Sequence, residues 1–231
     1  MSCLCTKITA ILFDLDDTLN DRRASWAGFV EVLRREFQHR IAPFDKSDIL
    51  KIISTADRGG YRPKAELFTD LCEQLPWIHA LTPRELEDFW RQSFPRCMVA
   101  REGARSILAA LKSARFRLGI VTNGRTDMQM RKIHHMGLHD LVEVVIVSES
   151  VGVKKPQPEI FLQAVRALSS SSENTLFVGD NPELDIVGPA QVGMQTAWIT
   201  LGRGWPAEYN EPNYRLSSLF DLRHIFGSGD E

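Results

Sequence analysis

Ile11-Leu12-Phe13-Asp14-Leu15-Asp16-Asp17-Thr18-Leu19 is the stretch from which the fold can be read. Its first three residues have the apolar, β-prone character of a buried strand. Three carboxylates then arrive within four positions. Each would be better solvated in water, and each repels the others. A chain that places them together at a strand end needs positive charge nearby to offset them.

Further apolar runs recur along the chain. Ile8–Phe13, Arg117–Val121, Val142–Val147, Thr175–Val178 and Gln195–Ile199 read as strands. Segments with helical periodicity separate the later ones: Gly103–Ser113, Thr126–Met136, Pro158–Leu168 and Pro182–Val192. Strands alternating with helices predict an α/β fold, a parallel sheet covered on both faces in a three-layer, Rossmann-like arrangement. The near-continuous apolar character of the strands agrees, because a doubly covered strand has no polar face.

Residues 20–95 break this rhythm. Helical patterns fill Arg22–Gln38, Lys46–Asp57, Pro63–Leu75 and Pro83–Ser93. Thr82-Pro83-Arg84-Glu85 is a start signal, with an N-cap threonine, proline at the first helical position and glutamate at the third. The expectation is an all-helical domain over 20–95, inserted into an α/β core made of 1–19 and 96–231, with the two connections acting as a hinge.

Ligands of parallel α/β sheets bind beyond the carboxyl ends of the strands. Those ends carry Asp14 to Thr18, then Thr122-Asn123-Gly124, then Lys154-Lys155-Pro156 after the third strand, and Gly179-Asp180 with Asn181 and Asp185. Polar chemistry after each of the first four strands, on one edge, marks a candidate site.

Bulk composition narrows the partners. The chain has 231 residues, a formal net charge of -2, 43% hydrophobic and 25% charged residues. It has no basic excess for a nucleic acid polymer or an anionic membrane, and no apolar run of the roughly 20 residues that span a bilayer. A small anionic metabolite remains open through a local basic site. Four cysteines without paired spacing suit a reducing compartment, and together with the lack of a signal-peptide pattern they make cytoplasm the expectation.

The ordered set Asp14-Leu15-Asp16-Asp17-Thr18, Val121-Thr122-Asn123-Gly124, Lys155-Pro156 and Gly179-Asp180 with Asp185 resembles the hydrolases of the haloacid dehalogenase superfamily over nearly the whole chain. The helical insert is similar to that family's α-helical cap of the first type. The resemblance implies Mg²⁺ held by Asp14, Asp180 and the backbone carbonyl of Asp16; a hard cation with few carboxylate ligands suits phosphate chemistry. It implies Asp14 as nucleophile, forming an aspartyl-phosphate, and Asp16 as the acid and base that serves the leaving group and then water. Thr122, Asn123 and Lys155 would bind the phosphate. Lys155 is preferred to Lys154 because it directly precedes Pro156, as in the family motif. Asp185, Asn181 and Thr18 would support these residues. Leu184 departs from the pattern, where a polar residue often precedes the second acid of the last motif.

The reading is a phosphatase of small phosphate monoesters. A phosphomutase or phosphotransferase of the same superfamily is the rival enzyme. A phosphoacceptor signalling module or a catalytically silent binding domain is the rival of another class. The acid at position 16 argues against the superfamily's dehalogenases, which need no leaving-group protonation. In the helical segment, Arg58, Tyr61 and Arg62, around two glycines, are candidate substrate contacts, as is Asn20 after the nucleophile loop. Other features have simpler readings. Asp17 shapes a turn. His134, His135 and His139 are solvated at a helix end. Lys46, Lys51 and Lys64 lie on helix surfaces, Trp26, Phe29 and Phe37 are core, and Cys3-x-Cys5 is terminal chain rather than a metal site.

Overall fold

The computed structural model describes residues 8–226, so Cys3 and Cys5 lie outside the described residues. The chain divides into two compact units, residues 21–99 and residues 1–20 with 100–231. The sequence reading puts these divisions at 19/20 and 95/96.

In the α/β unit, six strands form one sheet in the order β3-β2-β1-β4-β5-β6, and every neighbouring pair is parallel. The strands are β1 (Ala10–Phe13), β2 (Arg117–Thr122), β3 (Val144–Val147), β4 (Thr175–Gly179), β5 (Gln195–Ile199) and β6 (Tyr214–Leu216). Each residue of β1 is buried, as are all five of β4. Full burial of an Ile, Leu or Phe side chain contributes roughly 1.5–3 kcal/mol, so the central strands can anchor charged residues at their ends. Phe13 is in register with Ile120 on one side and Val178 on the other, so the three strands run out together.

Two features depart from the sequence expectation. β6 has no counterpart in it: its three residues, Tyr214, Arg215 and Leu216, are too few to show a period. It joins the sheet beside β5, where the side chain of Asn213 accepts from the N–H of Thr196 at 2.8 Å. The expected helix over Pro182–Val192 is instead a π-helical turn, Pro182–Val187, running into a short helix, Gly188–Ala190. Pro189 has no N–H to return to the carbonyl of residue 185, so regular α-helical bonding cannot continue through it.

The helical unit contains α1 (Arg22–Glu36), α2 (Lys46–Asp57), α3 (Lys64–Gln74) and α4 (Pro83–Ser93). Asp21 and Asp45 cap the first two through their side chains, and Thr82 with Glu85 forms the expected capping box on the fourth. Trp26, Phe29, Trp90 and Phe94 make the centre, with the rings of Trp26 and Phe94 4.4 Å apart and those of Trp90 and Phe94 5.3 Å apart. Phe37 packs edge-on against Phe89 and Trp77. An ion-pair network is buried among these helices. Asp57 accepts from Arg22 Nε at 2.8 Å, Lys64 Nζ at 3.1 Å and Trp26 Nε1 at 3.3 Å.

The other helices of the α/β unit are α5 (Ala104–Ser113), α6 (Thr126–His135), α7 (Ser148–Val151) and α8 (Pro158–Ala167), with a last short helix at Leu222–Phe226. No helix among the described residues is long and apolar enough to cross a membrane.

Candidate active site

The site is built at the carboxyl ends of β1, β2 and β4. The strand order changes direction between β1 and β4, where Asp14 and Asp180 emerge from adjacent strands. A crevice at such a point is where parallel sheets take their ligands. Asp14, Asp180 and Asp185 are all buried, and each offers an oxygen within 4.8 Å of the other two.

Asp185 reaches this cluster because position 179 is glycine. A Cβ there would overlap the Cβ and carboxyl of Asp185. The π-helical turn that carries Asp185 is capped by Asn181, whose side chain accepts from the N–H of Leu184 at 2.9 Å. The N–H of Asn181 in turn donates to Asp185 Oδ2 at 3.0 Å.

Lys155 offsets part of this negative charge. It is 2% exposed, and its Nζ donates to Asp14 Oδ1 at 2.6 Å and to Asp185 Oδ1 at 2.7 Å. Asn123 clamps the backbone of Lys155 from both sides: the N–H of Lys155 donates to Asn123 Oδ1 at 2.8 Å, and Asn123 Nδ2 donates to the carbonyl of Lys155 at 3.0 Å. The asparagine expected to bind phosphate therefore also positions the lysine.

The charges do not balance. Burial pushes the carboxyl of Asp14 well above its ordinary range, and Lys155 only partly opposes this while Asp185 and Asp180 add to it. Burial likewise pushes Asp180 up to about 7, with Asp185 and Asp17 reinforcing and Arg203 opposing. Burial works against the charge on Lys155 too, but the two carboxylates beside it outweigh that and hold its ammonium above its usual value. Three buried carboxyls, met by the buried ammonium of Lys155 and the half-exposed guanidinium of Arg203, make a site short of positive charge. A hard divalent cation with oxygen ligands fits that donor set.

Asp16 is held separately. Its Oδ1 accepts from Asn20 Nδ2 at 2.8 Å, its Oδ2 from Gln129 Nε2 at 3.0 Å, and both oxygens accept from Lys132 Nζ at 2.9 Å. Gln129 also donates to Thr122 Oγ1 at 2.6 Å, joining the Thr122 hydroxyl to the Asp16 carboxylate. Gln129 and Lys132 sit three residues apart on α6, so they share one face of it, and both are buried. Sequence reasoning missed them, although their spacing after Thr122-Asn123-Gly124 was visible.

Asn20, a candidate substrate contact, has bonds within its own loop. It is fully buried, and its side chain spans the loop after β1 by donating to Asp16 and accepting from the N–H of Asp17 at 3.0 Å. Through these two bonds it shapes the loop and aims Asp16. Asp17 adopts a left-handed conformation, φ 63°, as a turn residue. Arg101 gathers the carbonyls of Asp17, Thr18 and Asn20 at 2.8, 3.1 and 3.1 Å. Thr18 is buried, and its hydroxyl has no hydrogen-bond partner among the described residues.

The candidate contacts of the helical unit differ among themselves. Arg62 is occupied within that unit, pairing with Asp70 at 2.5 Å and Glu66 at 3.5 Å. Arg58 ends α2 in a left-handed conformation, Tyr61 is 60% exposed, and Gly60 makes room for the guanidinium of Arg22, which lies where a Cβ would stand. Lys64, read as a surface lysine, is paired with buried Asp57. His134, His135 and His139 are exposed. Among the described residues, Asp14, Asp180 and Asp185 form the one cluster with metal-ligand spacing.

Comparison with known proteins agrees with this geometry. The family model described as haloacid dehalogenase-like hydrolase matches residues 11–199. A glyceraldehyde 3-phosphate phosphatase of Pyrococcus furiosus is 32% identical, over 95% of this chain and 93% of its own length. An N-acylneuraminate-9-phosphatase of Rattus norvegicus is 26% identical, over 97% of this chain and 96% of its own. A crystal structure described as a putative HAD-hydrolase from Bacillus subtilis bound to magnesium shares the fold with a TM-score of 0.79 at 25% identity, covering 96% of this chain and all of that one.

Proposed function

The chain belongs to the haloacid dehalogenase-like hydrolase family, and from that premise we propose that it is a Mg²⁺-dependent phosphatase working through an aspartyl-phosphate on Asp14. Its substrate class is a small phosphate monoester. The observation that carries the reading is the buried trio of Asp14, Asp180 and Asp185, in which Lys155 bonds Asp14 and Asp185 and Arg203 bonds Asp180, so three acids are met by two cations. Such a trio is costly to keep unless a cation and a phosphate complete it.

Bound Mg²⁺ would be held by Asp14, Asp180 and the carbonyl of Asp16, with Asp185 alongside, and would supply the charge that lets an anionic nucleophile approach an anionic phosphate. The chain's own residues do the rest. Lys155 engages Oδ1 of Asp14 and orients that carboxylate. A carboxylate oxygen of Asp14 attacks phosphorus, the ester P–O bond breaks, and the leaving alkoxide takes a proton from Asp16. Asp16 then takes a proton from water, whose oxygen attacks the phosphorus of the aspartyl-phosphate. The bond to Asp14 breaks, inorganic phosphate leaves, and both aspartates return to their starting states. The Thr122 hydroxyl and the Asn123 N–H bind phosphate oxygens. We assign selection of the leaving group to the helical unit, as a cap, and place the enzyme in the cytoplasm, where small phosphorylated metabolites are found.

The relative named glyceraldehyde 3-phosphate phosphatase makes that ester the first to test. Purified protein should release phosphate from a panel holding p-nitrophenyl phosphate, glyceraldehyde 3-phosphate, sugar phosphates and nucleotides. EDTA should stop turnover and Asp14→Asn should abolish it. No release from any ester would overturn the phosphatase reading. Turnover that survives Asp14→Asn would overturn the covalent mechanism.

A further inference from the structure

Arg203 holds Asp180 in a way the phosphatase reading does not use. β5 ends at Ile199, and Leu201 and Gly202 come next but one, with φ 50° and 75°. This left-handed pair turns the chain back, and the N–H of Arg203 donates to the carbonyl of Thr200 at 2.8 Å. Non-glycine residues pay roughly 1–2 kcal/mol for such a conformation, so the turn is kept at a cost. It aims the guanidinium at the strand end next door. Arg203 Nη2 donates to the carbonyl of Asp180 at 2.7 Å and to its Oδ2 at 2.9 Å. Trp198 Nε1 donates to the same carbonyl at 2.8 Å, and the ring of Trp205 packs edge-on against that of Trp198 at 5.0 Å.

These bonds limit what Asp180 can offer. Its Oδ2 is engaged by the guanidinium, which leaves the other oxygen to face a cation. The neighbouring acids are restricted in a similar way. Asp14 Oδ1 is bonded to Lys155, and both oxygens of Asp185 already accept bonds. Cations differ in how they respond to this. Mg²⁺ demands six ligands near about 2.0–2.1 Å and takes carboxylates through one oxygen, whereas Ca²⁺ accepts about 6–8 ligands and readily chelates a carboxylate through both.

We propose that Arg203 is a positioning residue that confines Asp180 to one-oxygen ligation and so makes the site select a small six-coordinate cation over Ca²⁺. This rests on the metal-dependent reading above. Arg203 acts through Asp180 and touches neither substrate nor cation. Its positive charge weakens binding of all divalent cations alike, so the ratio of two affinities cancels that effect and isolates the geometry.

The test titrates the full chain with MgCl₂ and with CaCl₂ by calorimetry, cross-checked by the fluorescence of Trp198 and Trp205, with no substrate present. For Arg203→Met the ratio of Ca²⁺ to Mg²⁺ affinity should rise roughly tenfold, the size typical of changes behind a ligand. Arg203→Lys, which keeps a donor for Oδ2, should stay within about twofold of the parent ratio. Arg203→Ala replaces the methionine variant if thermal unfolding shows that one misfolded. Equal shifts for both cations in Arg203→Met would overturn the inference, as would a lysine variant that shifts as far as the methionine one. A parent protein that binds neither cation would overturn the metal-dependent reading itself, and this inference with it.

Discussion

Asp57 in the helical unit and Asp180 in the α/β unit are both buried aspartates beside an arginine, yet their carboxyls are pushed in opposite directions. Burial acts against the charge on Asp57, but Arg22 and Lys64 outweigh it and hold its carboxyl below the ordinary range. Asp180 has Arg203 on one side and Asp185 and Asp17 on the other, and it rises to about 7. A buried acid that has more cationic partners than acidic neighbours is part of the scaffold. One that shares too few cations with other acids is held in readiness for a ligand. The difference lies in the count of charges around each group, not in burial.

The largest effect should come from removing each acid in turn. Asp14→Asn is expected to lower turnover by more than about 10³-fold while leaving the metal-free protein as stable as its parent or more so. Asp57→Ala should do the reverse. It removes the buried carboxylate that accepts from Arg22, Lys64 and Trp26, and should cost ~3–5 kcal/mol in denaturant unfolding. If Asp57→Ala unfolds at the parent midpoint, the comparison is broken.

Lys132→Met comes next. It removes the ammonium that bonds both oxygens of Asp16, and kcat should fall about 10–100-fold. The loss should be greater on alkyl phosphates than on p-nitrophenyl phosphate, whose leaving group needs no proton. An equal loss on both would show that Lys132 does not act through Asp16 as the acid.

A pH series sharpens the contrast more quietly. The carboxyl of Asp180 sits at about 7 in the folded chain against 3.8 for an ordinary aspartate. Between those values the folded state binds more protons than the unfolded one, so this group's stabilising contribution is full below about pH 4 and is lost as pH rises to about 7. In EDTA, stability should therefore fall by ~1–3 kcal/mol over that window, relative to Asp180→Asn. Mg²⁺ should restore most of the loss near neutral pH, because proton and metal compete for the same oxygens. Identical pH profiles for parent and variant would remove Asp180 as the cause.

The smallest effect is assigned to Arg62→Ala. Its partners, Asp70 and Glu66, lie in its own unit, so a loss of about 1 kcal/mol or less is expected, with KM unchanged within about twofold. A large rise in KM would return Arg62 to the substrate.

Much of the candidate site could be read without coordinates. Asp14, Thr122, Asn123 and Asp180 lie at the ends of strands whose apolar runs are unmistakable, and parallel strands bring their carboxyl-terminal residues to one edge of the sheet. Lys132, Gln129, Arg101 and Arg203 could not be read in this way. A lysine and a glutamine on a polar helix, or an arginine in a loop, look like ordinary solvated residues until the neighbouring element is in place. Asn20 is a similar case: a polar residue after the first strand's loop gives no sign in the sequence that it is fully buried and turned back onto Asp16.

By itself the sequence determined the α/β class, the helical insertion and the identity of the acids, because hydrophobic period and strand-end chemistry are local properties. Tertiary structure alone decided how charge is distributed: which cations reach Asp16, that Gly179 lets Asp185 close on Lys155, and that Asp180 is shared with Arg203. Those outcomes depend on distances between residues far apart in the chain, and a charge's energy in a buried site is set by everything within a few ångströms of it.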